Sequence, residues 1–401
     1  MKILKLEVEG YRSLKDIVWE PGDLNILIGP NGSGKSNLLR ILELISIASK
    51  GQLGKHIQKS GGMGALLWDG MADGIKFNVE TSPVGDETSH EDDSLNYEMD
   101  LRHLGKGSAY QINHELLANY HWVKTGEHPE PFKLLERTPR SAVFFNNDRR
   151  HLVAPEESIF EEESFLSLLT ALTPNRDIPP FQAYLKEWSI YHDLHVNSDA
   201  PIRQPTITRL EKRVETDGQN LISVLHTLYT GDRDFKNDIN LAMRAAFGED
   251  FDELIFPPAS DQRTQLRVRW RTLRREQSAA DLSDGTLRFL FLLTALASPD
   301  PAPLIAIDEP ETGLHPSMLR LVAEYAADAA DRTQVILTTH SPQFLDAFKD
   351  FSPKITVTKW SEGQTFLKSL EGDILSEWLK EYSLGSLHRS GELENFLASD
   401  T

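Results

Sequence analysis

The feature that most constrains the fold is an octapeptide, Gly-Pro-Asn-Gly-Ser-Gly-Lys-Ser, at residues 29–36. It matches the phosphate-loop pattern G-x-x-x-x-G-K-[ST] at every fixed position. An apolar run at Leu24–Ile28 precedes it, and helical periodicity follows it to about Ala48. A strand, a glycine-rich loop and a helix in this order predict an α/β fold with a phosphate-binding loop. An ordinary glycine-rich turn is a much weaker interpretation.

The residue types of the loop indicate its ligand. Glycines let backbone amides approach phosphates because no Cβ intervenes, and the helix N-terminus adds positive partial charge. We expect Lys35 to reach the β- and γ-phosphates and the Ser36 hydroxyl to ligate Mg²⁺. The loop therefore predicts a nucleoside triphosphate as ligand. Its predicted binding residues are Gly29, Asn31, Gly32, Ser33, Gly34, Lys35, Ser36 and Asn37.

Composition narrows the classes of protein and of site that remain possible. The 401 residues contain no cysteine, which excludes disulfides, thiolate metal sites and cysteine nucleophiles. The net charge of −19 gives no bulk attraction to nucleic acid, although local patches could still bind it. The N-terminus does not resemble a signal peptide, and no apolar run approaches the roughly 20 residues that span a bilayer. A cytoplasmic protein without a membrane partner is expected.

Patterning along the chain predicts three regions. Residues 1–48 and 280–401 are expected to form a nucleotide-binding core, 49–140 a β-rich insertion, and 141–279 a helical lobe that ends in an arginine-rich strand. The predicted strands include Ile3–Glu9, Asp16–Trp19, Leu24–Ile28, Ile75–Glu80, Tyr97–Leu101, Tyr110–Ile112, Ser141–Asn146 and Ser189–Val196. The predicted helices of the lobe are Phe160–Leu172, Phe181–Trp188, Gly218–Leu228 and Asp234–Phe247.

A second buried-strand pattern, Leu304–Ile307, ends in two carboxylates, Asp308 and Glu309. Ligands of parallel sheets bind at the carboxyl ends of the strands, which is where both residues fall. We expect Asp308 to hold Mg²⁺, directly or through water, and Glu309 to polarise the attacking water. Two unrelated surface carboxylates would be a fair alternative if the phosphate loop were absent.

Two polar turns complete the predicted site. Ser283 lies in the segment Leu282–Thr286, after which a strong helical pattern follows. A hydroxyl, backbone amide donors and a helix N-terminus at one turn suit an anion. A serine that only caps the helix would show the same pattern. His340 ends another strand pattern, which favours contact with the γ-phosphate over a buried structural role.

Together these segments resemble the ATP-binding-cassette (ABC) class of ATPases, and more narrowly the heads of the RecF, SMC and OLD-type proteins. Residues 29–36 resemble the Walker A loop, 282–286 the signature motif and 304–309 Walker B. Residues 311–316 resemble the D-loop and 339–342 the turn that carries the switch histidine. The two ends of the chain, 6–14 and 382–393, also resemble such heads. The resemblance implies a P-loop NTPase head of ABC type with a mixed β-sheet core, a β-rich insertion and a helical lobe.

The resemblance also implies a mechanism. Two heads dimerise around ATP and Mg²⁺, so that Ser283, Gly285 and Thr286 of one chain approach the γ-phosphate held by the other. Glu309, His340 and Lys35 would be catalytic. Asp284 stands where transporters have glycine, and it should point away from the phosphate. The residue equivalent to the Q-loop glutamine stays open among Gln58, Gln182, Gln219 and Asn146-Asn147.

The biological role stays open among three functions. A DNA-repair or chromosomal clamp would bind DNA through the arginines that lie within residues 263–275 and through Arg149-Arg150. The arginines within 263–275 could instead pair with the surplus carboxylates of the chain. An anti-phage defence ATPase would control an effector in trans, since the 61 residues after His340 are too few for the nuclease domain of OLD-type relatives. A transporter motor is disfavoured by Asp284 and Thr286.

Overall fold

The computed structural model describes residues 1–83, 93–105, 109–120, 131–155, 161–169, 173–370 and 384–390. The chain divides into two compact units. The first comprises Met1–Gly22, Gly29–Trp188 and Thr356–Ser369, and the second comprises Asp23–Ile28, Ser189–Ile355 and Leu370–Thr401. In the described ranges no helix is long and apolar enough to cross a membrane. The predicted division into three regions is a different partition and stays a prediction.

The first unit is built on an eight-stranded antiparallel sheet with strand order β2-β1-β4-β5-β6-β7-β8-β9. Apolar and polar residues alternate along its strands, so one face is buried and the other is open to solvent. The strands are β1 (Ile3–Tyr11), β2 (Leu14–Trp19), β4 (Gly74–Thr81), β5 (Ser94–His103), β6 (Tyr110–Tyr120), β7 (Phe132–Thr138), β8 (Ser141–Asn146) and β9 (His151–Val153). The predicted strands of this region are confirmed, most of them longer than expected.

Within the described residues, the first unit also holds four α-helices. It includes most of the hairpin of β19 (Lys354–Ser361) and β20 (Gln364–Leu370), which enters this unit at Thr356. The helices are α1 (Lys35–Ser49), α2 (Leu53–Lys59), α3 (Phe165–Leu168) and α4 (Ile178–Lys186).

Two of these helices differ from the predicted ones. The helix predicted at 160–172 is wrong in length, because over its described part α3 is a single turn. The buried carboxylate of Glu115 accepts the Phe165 and Leu166 amides at 2.7 and 2.9 Å and thereby anchors this turn. Residues 160 and 170–172 lie outside the described residues. α4 begins earlier than predicted, because prolines are tolerated in a first helical turn.

In its described part, the second unit contains four parallel strands in the order β10-β17-β18-β3. These are β3 (Leu24–Ile28), β10 (Ser189–Tyr191), β17 (Leu304–Ile307) and β18 (Gln334–Thr339). Every residue of β3, β17 and β18 is buried, as expected for a parallel sheet covered on both faces. The strand predicted at 189–196 is too long, because β17 ends at Ile307 opposite Tyr191 and offers no partner beyond it.

Helices and small antiparallel sheets complete the second unit. The helices are α5 (Leu221–Gly231), α6 (Arg233–Phe247), α7 (Asp284–Leu296), α8 (Pro316–Ala330), α9 (Pro342–Asp346) and one at Leu384–Arg389. The short strands are β11 (Thr206–Ile207), β12 (Phe251–Ile255), β13 (Pro258–Ala259), β14 (Arg263–Thr264), β15 (Arg267–Trp270) and β16 (Gln277–Ser278). α5 and α6 confirm the helices predicted there, with ends shifted by at most three residues.

Candidate functional site

The phosphate loop of the first unit lies immediately after β3 and leads into α1, as predicted. Gly32 and Gly34 have φ of +81° and +102°, in the left-handed region that favours glycine. A Cβ at Gly34 would lie 2.0 Å from Thr365 Oγ1, and one at Gly29 would lie 2.3 Å from Thr358 Oγ1. The glycines are therefore required both by backbone conformation and by close packing.

Lys35 is folded back over this loop. Its residue is only 4% exposed, and its ammonium donates to the Gly29 and Pro30 carbonyl oxygens at 2.7 and 3.1 Å. α1 has no acidic residue in its first turn and no side-chain cap, so its first amides keep their positive partial charge. A buried cation and the positive end of a helix at one loop fit a triphosphate.

The remaining predicted loop residues divide into exposed and structural ones. Asn31 and Gly32 are exposed, and Ser36 is half-buried. The Ser33 hydroxyl lies 2.5 Å from the Thr358 hydroxyl, and the Asn37 amide donates to the Ser13 hydroxyl at 2.7 Å. The side chains of Ser33 and Asn37 therefore hold the loop, and their backbone amides also bond within it, to the Pro30 and Gly34 carbonyl oxygens at 3.2 and 3.0 Å.

Two threonines of the β19–β20 hairpin support the loop and were missed by sequence reasoning. Thr358 contacts Ser33, and the Thr365 hydroxyl lies 3.0 Å from the Ser33 carbonyl oxygen and 2.7 Å from the Ser13 hydroxyl. Both threonines are buried. No local pattern marks a threonine more than 300 residues from its partner in the chain.

The second unit carries the predicted carboxylates. Ile307, the last residue of β17, pairs with Leu337 of β18, and Thr339 pairs with Ile28 of β3. Asp308 and Glu309 directly follow β17, and His340 directly follows β18. All three therefore lie at the carboxyl edge of one parallel sheet, as the strand patterns predicted.

Thr338 connects the two carboxylate positions. Its fully buried hydroxyl donates to Asp308 Oδ1 at 2.5 Å and accepts the Glu309 amide at 3.0 Å. Glu309 itself has φ of +47°, an uncommon conformation for a residue with a side chain. Such strain persists only where surrounding contacts impose it, which is typical of functional sites.

The Glu309 carboxylate and the His340 ring are hydrogen-bonded. Glu309 Oε1 lies 3.0 Å from His340 Nδ1, and the two side chains are 34% and 42% exposed. A carboxylate that is oriented by a histidine and remains accessible to water can accept a proton from that water. His192, which sequence reasoning missed, lies 3.8 Å from Asp308 Oδ2 and follows the short strand β10.

The signature segment begins α7. The exposed Ser283 is its N-cap and accepts the Thr286 amide at 3.1 Å. A Cβ at Gly285 would lie 2.7 Å from the Gly313 carbonyl oxygen, so the signature and D-loop segments are in close contact. Only a glycine fits there.

Arg203 organises this segment and was also missed. Its guanidinium, 7% exposed as a residue, donates to the Leu282 carbonyl at 2.7 Å and to the carbonyls of Val196, Ala279 and Ala280. It also pairs with the Asp284 carboxylate. That contact gives Asp284 a partner within its own unit.

Glu311 is an unusual half-buried carboxylate two residues after Glu309. Its Oε1 accepts the Thr339 hydroxyl, while Oε2 is buried without a hydrogen-bond partner among the described residues. Burial raises the pKa of the Glu311 carboxyl.

The side chains of three Q-loop candidates either bond to residues of the local structure or are exposed to solvent. Gln182 donates to the Leu166 carbonyl at 2.6 Å, Gln219 contacts His195 and Asp217, and Gln58 is exposed. Asn147 differs, because its Oδ1 is buried without a hydrogen-bond partner among the residues that the structure describes. The equivalent residue stays a prediction.

The arginine-rich strand is paired with carboxylates. Arg269 contacts Glu253 and Glu276 at 2.5 and 3.0 Å, Arg267 contacts Glu276 at 3.7 Å, and Arg271 contacts Glu249 at 3.3 Å. Of the two interpretations, this arrangement favours neutralisation by surplus carboxylates.

The donors fit a magnesium ion that is bound with a nucleotide. Within the described ranges, no three histidine or carboxylate side chains cluster as a self-sufficient metal site. Mg²⁺ typically takes one or two protein oxygens and completes its shell with phosphates and water. Ser36 in the first unit and Asp308 in the second each carry an oxygen of this kind, and the tight cradle of Gly29–Ser36 fits phosphate groups.

Comparisons with known proteins identify the family of the chain. Residues 24–346 match a family model described as "AAA domain, putative AbiEii toxin, Type IV TA system". An OLD nuclease of Thermus scotoductus is 21% identical over 349 residues, which are 85% of this chain and 59% of that protein. The DNA replication and repair protein RecF of Staphylococcus carnosus is 27% identical over 115 residues, or 28% of this chain and 26% of that protein.

Solved structures share the fold. An SMC head bound to the C-terminal winged-helix domain of ScpA has a TM-score of 0.53 at 13% identity. The match covers 94% of this chain and 100% of the SMC chain. An SMC head with an extended coiled coil, bound to the C-terminal domain of ScpA from Pyrococcus furiosus, also has a TM-score of 0.53, at 14% identity; it covers 95% of this chain and 99% of its own.

The curated relatives are longer than the match. The chain spans about three fifths of the OLD nuclease and about a quarter of RecF. The family model nevertheless covers most of the chain, and its bounds include the phosphate loop, Asp308, Glu309 and His340. The chain therefore belongs to this AAA family, and it is an ABC-class ATPase of the RecF, SMC and OLD group with a P-loop NTPase fold.

Proposed function

We propose that this protein binds ATP with Mg²⁺, hydrolyses it, and uses the nucleotide to switch between separate and paired heads. The observation that carries the proposal is the Glu309–His340 hydrogen bond of 3.0 Å, at a sheet edge where Thr338 also holds Asp308. ATP bound with Mg²⁺ supplies a γ-phosphoryl group that water can attack. In this assignment Glu309 accepts the proton of that water, and His340 orients Glu309.

The phosphate loop has a separate role in the proposal. Lys35 moves from the Gly29 and Pro30 carbonyls to the phosphates, and the amides at the start of α1 donate to phosphate oxygens. The Ser36 hydroxyl and the Asp308 carboxylate would each offer one oxygen to the metal. Developing negative charge is thereby stabilised by fixed donors, which is the largest contribution in phosphoryl transfer.

Pairing of heads is supported by the signature segment. Ser283 is exposed and caps α7, and Arg203 and Gly313 hold the adjoining turn from behind. This turn presents the Ser283 side chain and the positive end of α7 to solvent, which suits an anion carried by a second copy. The proposed dimer places Ser283, Gly285 and Thr286 against the nucleotide of the partner.

Two variants test the switch. Glu309→Gln should abolish phosphate release while Mg·ATP still drives dimer formation, because the base is lost and the phosphate contacts remain. Ser283→Arg should leave nucleotide binding to one chain intact but prevent pairing and hydrolysis. Light scattering with excess Mg·ATP measures pairing of the heads, and a phosphate-release assay measures hydrolysis. A Glu309→Gln protein that stays monomeric, or a Ser283→Arg protein with unchanged turnover, would refute the sandwich arrangement.

We further propose that the switch controls an effector in trans, in DNA repair or anti-phage defence. The arginines of β15 are matched by glutamates and the net charge is −19, so a protein partner is better supported than DNA. The similarity to a protein named OLD nuclease suggests a nuclease as effector.

A pulldown of the native protein tests the effector. Recovery of a nuclease-like chain in fixed ratio would support this function. ATP-dependent binding of the protein alone to duplex DNA, with a steep salt dependence, would support the clamp instead.

A further inference from the structure

Trp360 is a large aromatic residue on the hairpin that supports the phosphate loop, and it is 50% exposed. We propose that its indole is the platform on which the base of the bound nucleotide stacks. The inference rests on the proposed nucleotide binding and names the part of the ligand that the phosphate loop does not recognise.

The face of β19 that carries Trp360 is directed to the phosphate loop. Side chains of a strand alternate, so Trp360 and Thr358 share one face. The Thr358 hydroxyl lies 2.5 Å from the Ser33 hydroxyl, and a Cβ at Gly29 would lie 2.3 Å from it. Two residues along a strand span about 6.6 Å, so Trp360 begins within one side-chain length of this contact.

The turn of the hairpin gives a second, independent placement. β19 and β20 are joined by Glu362 and Gly363, whose φ angles are +52° and +75°, as in a two-residue type I′ turn. This turn sets Trp360 opposite Thr365, with Cβ atoms about 5 Å apart. The Thr365 hydroxyl lies 3.0 Å from the Ser33 carbonyl oxygen, and a Cβ at Gly34 would lie 2.0 Å from it. Both neighbours of Trp360 on this face therefore contact the phosphate loop.

The hairpin is held in place at its tip. Trp68 donates its indole N–H to the Gly363 carbonyl at 2.9 Å, and the Thr365 amide donates to the Ser13 carbonyl at 2.8 Å. A platform supported in this way loses little freedom when a base binds. Aromatic rings stack on every base, so Trp360 should strengthen binding of purine nucleotides without strict discrimination among bases.

The same hairpin supplies a matched control. Phe366 follows Thr365 on β20, so its side chain lies on the opposite face, and it is 38% exposed. Removing it deletes a comparable exposed aromatic from the same hairpin without touching the proposed platform.

Calorimetric titration of the full chain with Mg·ATP and with Mg·tripolyphosphate, which has no base, tests the proposal. Trp360→Ala should weaken ATP binding about tenfold or more and leave tripolyphosphate binding within about twofold of wild type. Trp360→Phe should recover most of the ATP affinity, and Phe366→Ala should change neither ligand. Thermal unfolding of each variant checks that it is folded.

Three results would overturn the proposal. ATP affinity of Trp360→Ala within about twofold of wild type would show that no base stacks there. Equal losses for ATP and tripolyphosphate would show that the variant damages the phosphate loop. Failure of the wild-type protein to bind either ligand would refute the proposed function itself, and the platform with it.

Discussion

Replacing Thr338 by valine tests the arrangement at the sheet edge most directly. The Thr338 hydroxyl is fully buried, donates to Asp308 Oδ1 at 2.5 Å and accepts the Glu309 amide at 3.0 Å. A bond to a charged group contributes about 1.5–3 kcal/mol to stability and a neutral one about 0.5–1.5 kcal/mol. Burial of the methyl group that replaces the hydroxyl stabilises the folded protein by about 0.8 kcal/mol. Thr338→Val should therefore reduce the free energy of unfolding by about 1–4 kcal/mol.

The effect on turnover should exceed the effect on nucleotide affinity. Without the hydroxyl, Asp308 loses its anchor and the amide of Glu309 loses the acceptor that fixes its left-handed conformation. A loss of about 1.4 kcal/mol of transition-state stabilisation alone slows hydrolysis about tenfold. We expect at least that reduction in phosphate release, with ATP affinity changed by less than about fivefold. Urea unfolding and a steady-state phosphate assay measure the two quantities.

Thr294→Val is the matched control for this substitution. Thr294 is also buried, but among the residues that the structure describes its hydroxyl bonds only to the Leu290 carbonyl of its own helix, at 2.6 Å. Such a bond adds little, so the control should lose less than about 1 kcal/mol and keep its turnover. Wild-type hydrolysis by Thr338→Val, or equal losses in both variants, would refute the proposed role of the hydroxyl.

Three further outcomes are expected. Because burial raises the pKa of Glu311, folding favours its protonated form and the wild type loses stability as pH rises from 4.5 towards the folded pKa. The stability of Glu311→Gln relative to wild type, followed by urea unfolding, should grow across that window; a difference independent of pH would contradict this. Arg203→Ala should lower the free energy of unfolding by about 2–4 kcal/mol, because it leaves buried carbonyl oxygens without a donor. Asp284→Ala removes an exposed carboxylate and should lower it by less than about 1 kcal/mol. Similar losses for the two variants in urea unfolding would contradict this difference. Arg269→Ala should not weaken any binding to duplex DNA in a salt titration, since its guanidinium is already paired; a shallower salt slope would show that it contacts phosphate.

Elements governed by neighbouring residues could be predicted from the sequence. The glycine-rich loop, the apolar run that ends in Asp308 and Glu309, and the Ser283 cap are each contained in a few consecutive residues. Local periodicity also identified most strands and helices. The expected helix at 160–172 is shorter over its described part because distant Glu115 takes its first amides, which no local pattern reveals.

The sequence by itself determined the family, the fold class and the residues expected to contact phosphate, metal and water, because each motif depends on short covalent spacings. Only the tertiary structure decided which side chains support them. Thr338 bonds to Asp308 across 30 positions, Arg203 to Asp284 across 81, and Thr365 to Ser33 across 332. Isolated threonines and arginines are common and carry no signal of their own. Their roles arise when folding removes water and leaves one partner within hydrogen-bonding distance.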